Sequence, residues 1–205
     1  MKHAHQTAQE GHSGRLPANA GPVLLDLART AITEALGETA APPVPAANWL
    51  RDPAASFVTL NQRGALRGCI GSIIAHRPLD EDVRANALAA AFHDPRFLPI
   101  SAAEWLDVQV EVSVLSPLEQ LAVRSEADLI TQIQPGRHGL LLRYGAYQGT
   151  FLPQVWEELP DPKQFLSQLK RKAGLPVDFW SLELEVYRYH VEKWREHQAP
   201  AGKVT

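Results

Sequence analysis

The feature that most constrains the fold is a strict two-residue alternation of valines with polar residues over residues 107–115. The valines of this segment are Val108, Val110, Val112 and Val114. Because successive side chains of a strand point to opposite faces of a sheet, the pattern predicts a strand with one apolar and one polar face. We expect the apolar face to pack under helices, which leaves Glu111 on the opposite face with Gln109 and Ser113.

Helical and strand-like patterns flank this segment in a definite order. Helical spacing covers residues 23–36, 79–92, 125–133 and 162–173. Strand pairs separated by short turns cover residues 56–60 with 65–74 and residues 140–144 with 147–152, and a last strand covers residues 182–189. The strands come as pairs with helices between them, so the order favours antiparallel pairing and an α+β fold over a parallel sheet.

Length and composition are those of one globular domain with short tails. The 205 residues are 45% hydrophobic and 21% charged, and the net charge is -3. We expect residues 1–19 to form a disordered tail, residues 20–196 the domain, and residues 197–205 a loose tail. The single cysteine fits a reducing compartment, and no apolar run is long enough for a membrane span, so we expect a cytoplasmic protein.

The segment Leu66-Arg67-Gly68-Cys69-Ile70-Gly71 is unusual because it places two glycines inside a predicted strand. Glycine weakens a strand, and it often marks a bulge or a place where a ligand or another backbone comes close. Regular alternation places Arg67 and Cys69 on one side, and Leu66 and Ile70 on the other, where they can be buried. A nearby guanidinium favours the reactive thiolate. The alternative is that Cys69 is a small buried hydrophobe that packs beside the glycines.

This segment and several motifs that follow it resemble the AMMECR-domain family. The further motifs are, in chain order, Asn86-Ala87, Asp94-Pro95-Arg96-Phe97, Glu111-Val112-Ser113-Val114-Leu115, Gly136-Arg137-His138-Gly139-Leu140, Phe151-Leu152-Pro153-Gln154-Val155 and Lys172-Ala173-Gly174-Leu175. The resemblance covers residues 23–194. It implies an α+β fold with a larger and a smaller subdomain around a cleft. It also implies Memo-type proteins, themselves similar to extradiol-type dioxygenases, and radical-SAM proteins as partners. It implies no reaction and no cofactor.

Three residues are candidates for catalysis. Cys69 would be the nucleophile, His138 its base or acid, and Glu111 the group that orients the imidazole. The alternatives are a turn histidine with a solvent or backbone partner and a glutamate on a solvated face. The three side chains could also hold zinc or iron, but they show no ligand spacing and we assign no metal.

Six residues are candidates for substrate binding: Arg67, Gly68, Gly71, Asp94, Arg96 and Gln154. The planar guanidinium of Arg96 suits a carboxylate or phosphate, and the alternative is a local pair with Asp94 that fixes a turn. Gln154 either caps the following helix or faces the cleft.

Two functions of different classes follow from these residues. The first is an enzyme, or a substrate-modifying subunit, with a cleft centred on Cys69 and group transfer through a thioester-like or thiohemiacetal intermediate. The second is a non-enzymatic binding or adaptor module that recognises a protein, a nucleotide or RNA, in which Cys69 only packs. RNA binding would need a local basic groove, since the net charge gives it no support.

Overall fold

The computed structural model of the chain describes residues 16–39 and 47–197 and divides into two compact units. The first unit comprises residues 1–115 and 192–205, and the second comprises residues 116–191. The described residues form five α-helices and two antiparallel sheets, so the predicted α+β class is confirmed. The predicted tails lie mostly outside the described residues. No described helix has the length and apolar character needed to cross a membrane.

A four-stranded sheet forms the centre of the first unit. Its strands are β1 (Ala55–Gln62), β2 (Ala65–Gly71), β3 (Val108–Leu115) and β8 (Val191–Arg195), in the order β2-β1-β3-β8. Strand β1 runs antiparallel to both β2 and β3. The β1–β2 turn consists of Arg63 and Gly64, which both have positive φ angles, as tight hairpins require.

Helices cover one face of this sheet. They are α1 (Ala20–Ala35), α2 (Leu79–Phe92) and the single turn α3 (Ala102–Trp105). The alternating valines of β3 lie in the core together with apolar residues of α1 and α2, as the sequence predicted. Gly37 ends α1 with a φ angle of 77°, the left-handed conformation that suits a glycine after a helix.

The second unit has its own sheet and its own core. Its strands are β4 (Glu119–Gln120), β5 (Gly139–Tyr144), β6 (Tyr147–Phe151) and β7 (Glu185–Tyr189), in the order β4-β7-β5-β6. Its helices are α4 (Glu126–Gln132) and α5 (Pro162–Lys172). Asp161 caps α5 by accepting a hydrogen bond from the backbone N–H of Gln164. The rings of Trp156 and Phe165 stack at 3.6 Å in the core.

Two predicted strand boundaries were wrong. The strand predicted at residues 182–189 begins only at Glu185, and Leu182 is 83% exposed. The strand predicted at residues 65–74 ends at Gly71 because the backbone leaves the sheet at Ser72, whose hydroxyl bonds to Asp82. Strand β8 was not predicted, since it is five residues long and mixes charged and apolar side chains.

Candidate functional site

A register shift in the first hairpin changes the expected arrangement of the motif. Thr59 pairs with Cys69 and Leu60 with Gly68, but the next pair is Asn61 with Leu66, which leaves Arg67 as an inserted residue. Because paired residues share a face of a sheet, Leu66 lies on the face of Cys69 and is 43% exposed. The predictions that Arg67 shares that face and that Leu66 is buried were therefore wrong, since alternation does not continue through a bulge.

Arg67 binds the carboxylate of Glu104 and does not share the face of the Cys69 thiol. Its Nε and Nη2 atoms both donate to Glu104 at 3.2 Å, and its guanidinium lies 5.9 Å from the ring centre of Phe97. The backbone N–H of Ser101 and the Arg67 side chain lower the pKa of Glu104 to about 2. The Nη1 atom of Arg67 is buried and has no hydrogen-bond partner among the described residues.

Cys69 is partly exposed on edge strand β2, on the face of the sheet opposite the helices. The hydroxyl of Thr59 donates a hydrogen bond to the Cys69 sulfur at 3.3 Å. Thr59 could not be identified from the sequence, because its place opposite Cys69 depends on the register shift.

Asp94 and Arg96 hold the backbone of Cys69 from the open side of the strand. The Cys69 N–H donates to Asp94 Oδ2 at 2.9 Å, and Arg96 Nη2 donates to the Cys69 carbonyl at 3.2 Å. The two side chains also pair with each other at 2.7 Å. The Arg96 guanidinium, with the N–H groups of Cys69 and Arg96, holds the pKa of buried Asp94 well below its usual range. The local pair that the sequence analysis gave as an alternative is therefore present, and it also covers this part of the sheet edge.

The two motif glycines make room for the protein's own atoms. A Cβ atom on Gly68 would lie 2.2 Å from the carbonyl oxygen of Ala90 in α2. A Cβ atom on Gly71 would lie 2.2 Å from the ring of Phe57 and 2.6 Å from the carbonyl oxygen of Ser56. Close packing of β2 against α2 and β1 thus accounts for both glycines without a ligand.

Glu111 lies on the same face as Cys69, but cations already occupy its carboxylate. Glu111 pairs with Thr59 in the register, so two strand spacings of about 4.8 Å separate it from Cys69. Arg195 Nη2 lies 2.6 Å from Glu111 Oε2, and Lys193 Nζ lies 3.8 Å from Oε1. Neither cation could be identified as a partner of Glu111 from the sequence, because β8 was not predicted.

His138 belongs to the second unit and is buried there. Its Nδ1 atom accepts the backbone N–H of Gln134 at 3.0 Å, and its ring centre lies 4.9 Å from that of His190. An Nδ1 atom that accepts a hydrogen bond leaves the proton of the neutral ring on Nε2. Burial lowers the pKa of His138, and His190 and Arg188 lower it further. A backbone partner was one of the alternatives for His138, and Trp156 Nε1, which donates to the His138 carbonyl, fixes the segment in the core.

Gln154 is exposed in the second unit and caps nothing. It is the second residue of a short 3-10 helix, Pro153–Glu157, whose N-cap position is held by Leu152 without a side-chain hydrogen bond. The capping role considered for Gln154 is therefore absent. Within residues 16–39 and 47–197, no three His, Cys, Asp or Glu side chains lie close enough together to hold a metal ion.

A buried carboxylate beside the motif was also missed. Asp82 of α2 is 0% exposed and accepts hydrogen bonds from four residues: Ser56, Ser72, Arg77 and Asn86. The bonds join the start of β1 and the end of β2 to the helix that packs against them. Asn86 belongs to a motif of the sequence analysis, but no local pattern singled out Asp82.

A groove of about 960 Å³ lies in the first unit, beside α1, β3 and β8. None of the predicted site residues lines it. Leu25, Leu106, Val108 and Trp194 supply apolar surface, and Arg29, Arg63, Lys193 and Arg195 supply positive charge. Acidic residues also reach the groove, and Arg29 is paired with Glu196 and Arg63 with Asp107.

The chain is similar to proteins of one family. Residues 25–194 match the sequence profile of the AMMECR1 family. A protein of Thermofilum pendens is 40% identical in an alignment that covers 93% of this chain and 96% of the relative. A protein of Methanothermobacter thermautotrophicus is 40% identical over 88% of this chain and 96% of its own.

The fold also has a solved counterpart. The crystal structure of uncharacterized protein PH0010 from Pyrococcus horikoshii is similar at a TM-score of 0.78 and 37% sequence identity. The match covers 88% of this chain and 93% of that one. These relatives carry no named reaction or ligand, so they establish family and fold but not activity.

Proposed function

Because the chain belongs to the AMMECR1 family, whose activity is not established, we propose a function from the geometry of the first unit: group transfer by an enzyme or substrate-modifying subunit whose nucleophile is Cys69. The observation that carries the proposal is the donation of the Thr59 hydroxyl to the Cys69 sulfur at 3.3 Å. This contact fixes the position of the sulfur, and a cysteine sulfur attacks carbon as the thiolate.

The position of the thiol supports the same function. Edge strand β2 leaves the Cys69 side chain partly exposed, while Asp94 and Arg96 fix its backbone N–H and carbonyl. A nucleophile that is held in place before the substrate arrives loses less entropy in the reaction. Arg96 carries positive charge at the Cys69 carbonyl, and its side chain is 53% exposed.

A second group on the same face supports binding of a polar substrate. Asn61 follows Thr59 by two residues on β1, so the two side chains share a face. The Asn61 Nδ2 atom is buried and has no acceptor among the residues that the structure describes. Buried donors in proteins are normally paired, so an unpaired one is a candidate to bind a substrate oxygen.

The chemistry that we propose is thioester-like. The Cys69 thiol gives up its proton to solvent, and the thiolate forms a C–S bond to an acyl carbon while the bond to the leaving group breaks. The leaving group departs with the electron pair and takes up a proton, and a second nucleophile then breaks the C–S bond and receives the acyl group. Glu111 does not accept the thiol proton in this scheme, because its carboxylate is paired with Arg195 and lies two strands away.

The compartment and the partner proteins of this activity are proposed from the sequence. A single free cysteine supports the cytoplasm as the compartment. The resemblance of the motifs to AMMECR-domain proteins supports Memo-type and radical-SAM proteins as partners, which would supply or receive the transferred group.

The test is to trap the acyl group. The full chain is incubated at neutral pH with small aryl thioesters, and its intact mass is measured with time alongside that of the Cys69→Ser variant. We expect a single acyl adduct on Cys69 that an added amine or thiol removes, and none on Cys69→Ser. A wild-type chain that acquires adducts no faster than free cysteine would overturn the proposal and favour the binding-module alternative, in which Cys69 only packs.

A further inference from the structure

Strand β8 presents an open edge beside the groove of the first unit. The sheet order β2-β1-β3-β8 gives β8 a neighbour on one side, β3. No other strand in residues 16–39 and 47–197 pairs with its outer side. The outward N–H and C=O groups of such a strand can pair with an added strand.

Apolar side chains line the groove next to this edge. Trp194 of β8 lies against Gly21, where a Cβ atom would come within 2.3 Å of the indole ring. Leu106 also lines the groove and is 86% exposed. Leu106 and Trp194 together give the groove an apolar surface, and an apolar patch rimmed by polar residues is a feature of protein interaction sites.

Lys193 and Arg195 of β8 add positive charge to the groove, which Asp26, Asp107 and Glu196 also line. The side chains of Lys193 and Arg195 are 46% and 56% exposed, and both face the single carboxylate of Glu111. Arg195 holds Glu111 at hydrogen-bond distance, whereas the Lys193 ammonium stays 3.8 Å away. The three donors of Lys193 are therefore available to a second carboxylate.

We propose that the groove binds an extended, acidic peptide segment of another protein, which adds as a strand to β8. Backbone hydrogen bonds to the strand edge supply affinity, apolar side chains of the peptide contact Leu106 and Trp194, and a peptide carboxylate pairs with Lys193. The cations select against neutral and basic strands, which would place no counter-charge beside them.

A second copy of this chain fits the edge less well than an acidic peptide. Antiparallel pairing of two β8 strands about their centres would set Lys193 opposite Lys193. Like charges directly opposite each other destabilise a strand pair. This inference goes beyond the proposed chemistry of Cys69, because neither Cys69 nor its partners Thr59, Asp94 and Arg96 line the groove.

The experiment is a selection with a built-in control. Random twelve-residue peptides displayed on phage are selected against the full chain and counter-selected against a Leu106→Asp, Lys193→Glu double variant. Both replaced side chains are exposed or half exposed, so we expect the double variant to fold, and its circular dichroism and melting temperature are compared with those of the wild type. Leu182→Asp, which changes an equally exposed leucine of the second unit, is the matched control.

The expected result is a set of enriched peptides that alternate apolar residues with Asp or Glu. Their affinity should fall about tenfold or more in the double variant and stay unchanged in Leu182→Asp and Cys69→Ser. Enrichment of no peptide, enrichment of basic peptides, or equal binding to the double variant would each overturn the proposal. A concentration-dependent dimer that Leu106→Asp abolishes, measured by sedimentation, would also overturn it and identify a second copy as the occupant.

Discussion

Both units bury a charged side chain completely, but they satisfy it in different ways. In the first unit, Asp82 accepts hydrogen bonds from four residues that lie on or next to β1, β2 and α2. In the second unit, Lys170 of α5 donates to Glu126 and to the carbonyl oxygen of Val177. The carboxylate joins several elements around the end of the cysteine motif, whereas the ammonium joins a helix to its neighbours. Hydrogen bonds to the buried Asp82 carboxylate therefore hold together β1, β2 and α2, the elements next to Cys69.

The largest expected effect tests the Asp82 cluster. Asp82→Asn removes the charge opposite Arg77 and turns an amide N–H₂ toward hydrogen-bond donors. Because the lost partner is buried, we expect the free energy of unfolding to fall by about 3–5 kcal/mol. The measurement is urea denaturation, with exposed Glu81→Gln on the same helix as the control. A loss below about 1 kcal/mol would mean that the cluster does not stabilise the first unit as described.

A glycine in each unit allows a second comparison. A Cβ atom on Gly68 would lie 2.2 Å from the backbone of α2, and one on Gly149 would lie 2.8 Å from the backbone at Ala173. Overpacking costs about 1–3 kcal/mol, and the closer approach leaves less room for adjustment. We expect Gly68→Ala to lower the free energy of unfolding more than Gly149→Ala, in parallel urea titrations. The reverse order would show that the backbone of β2 shifts to accommodate an added Cβ atom more easily than the backbone of β6.

The smallest expected effect concerns the pH dependence of the second unit. Burial lowers the pKa of folded His138 from its usual 6.5, so the unfolded chain binds a proton more readily. The stability that His138 contributes is therefore fully present above pH 6.5 and is lost as the pH falls from there toward its folded pKa. His138→Asn keeps an acceptor for the Gln134 N–H without a titrating ring, and we expect it to flatten this slope in denaturant titrations between pH 7 and 5. An unchanged slope would assign the dependence to another group.

The sequence predicted those parts of the fold that depend on local pattern. The valine alternation of β3 and the bounds of α2 both follow from periodicity. The sequence failed where a distant contact decides the structure. Strand β8 has no clear alternation and is held by β3, and Leu182 looks like a strand residue until its exposure is known.

The residues of the candidate site divide in the same way, into those that a local pattern reveals and those that depend on distant contacts. The motif singled out Cys69, and the Asp94–Arg96 pair could be expected from the spacing of the two residues. The inserted position of Arg67 could not, because the glycines indicate a bulge or a close approach, and only the register with β1 shows which residue is inserted. The partners Thr59, Arg195 and Lys193 depend on register and on an unpredicted strand.

The central claim is that the Cys69 sulfur is held as a nucleophile by a hydroxyl, and the rate of its alkylation tests this most directly. The rate of reaction with iodoacetamide at neutral pH is measured for the wild type and for Thr59→Val, which keeps the side-chain shape but removes the donor. We predict that the wild-type thiol reacts faster than the thiol of Thr59→Val, with Thr33→Val of the same chain unchanged from wild type. Equal rates for wild type and Thr59→Val would contradict the account.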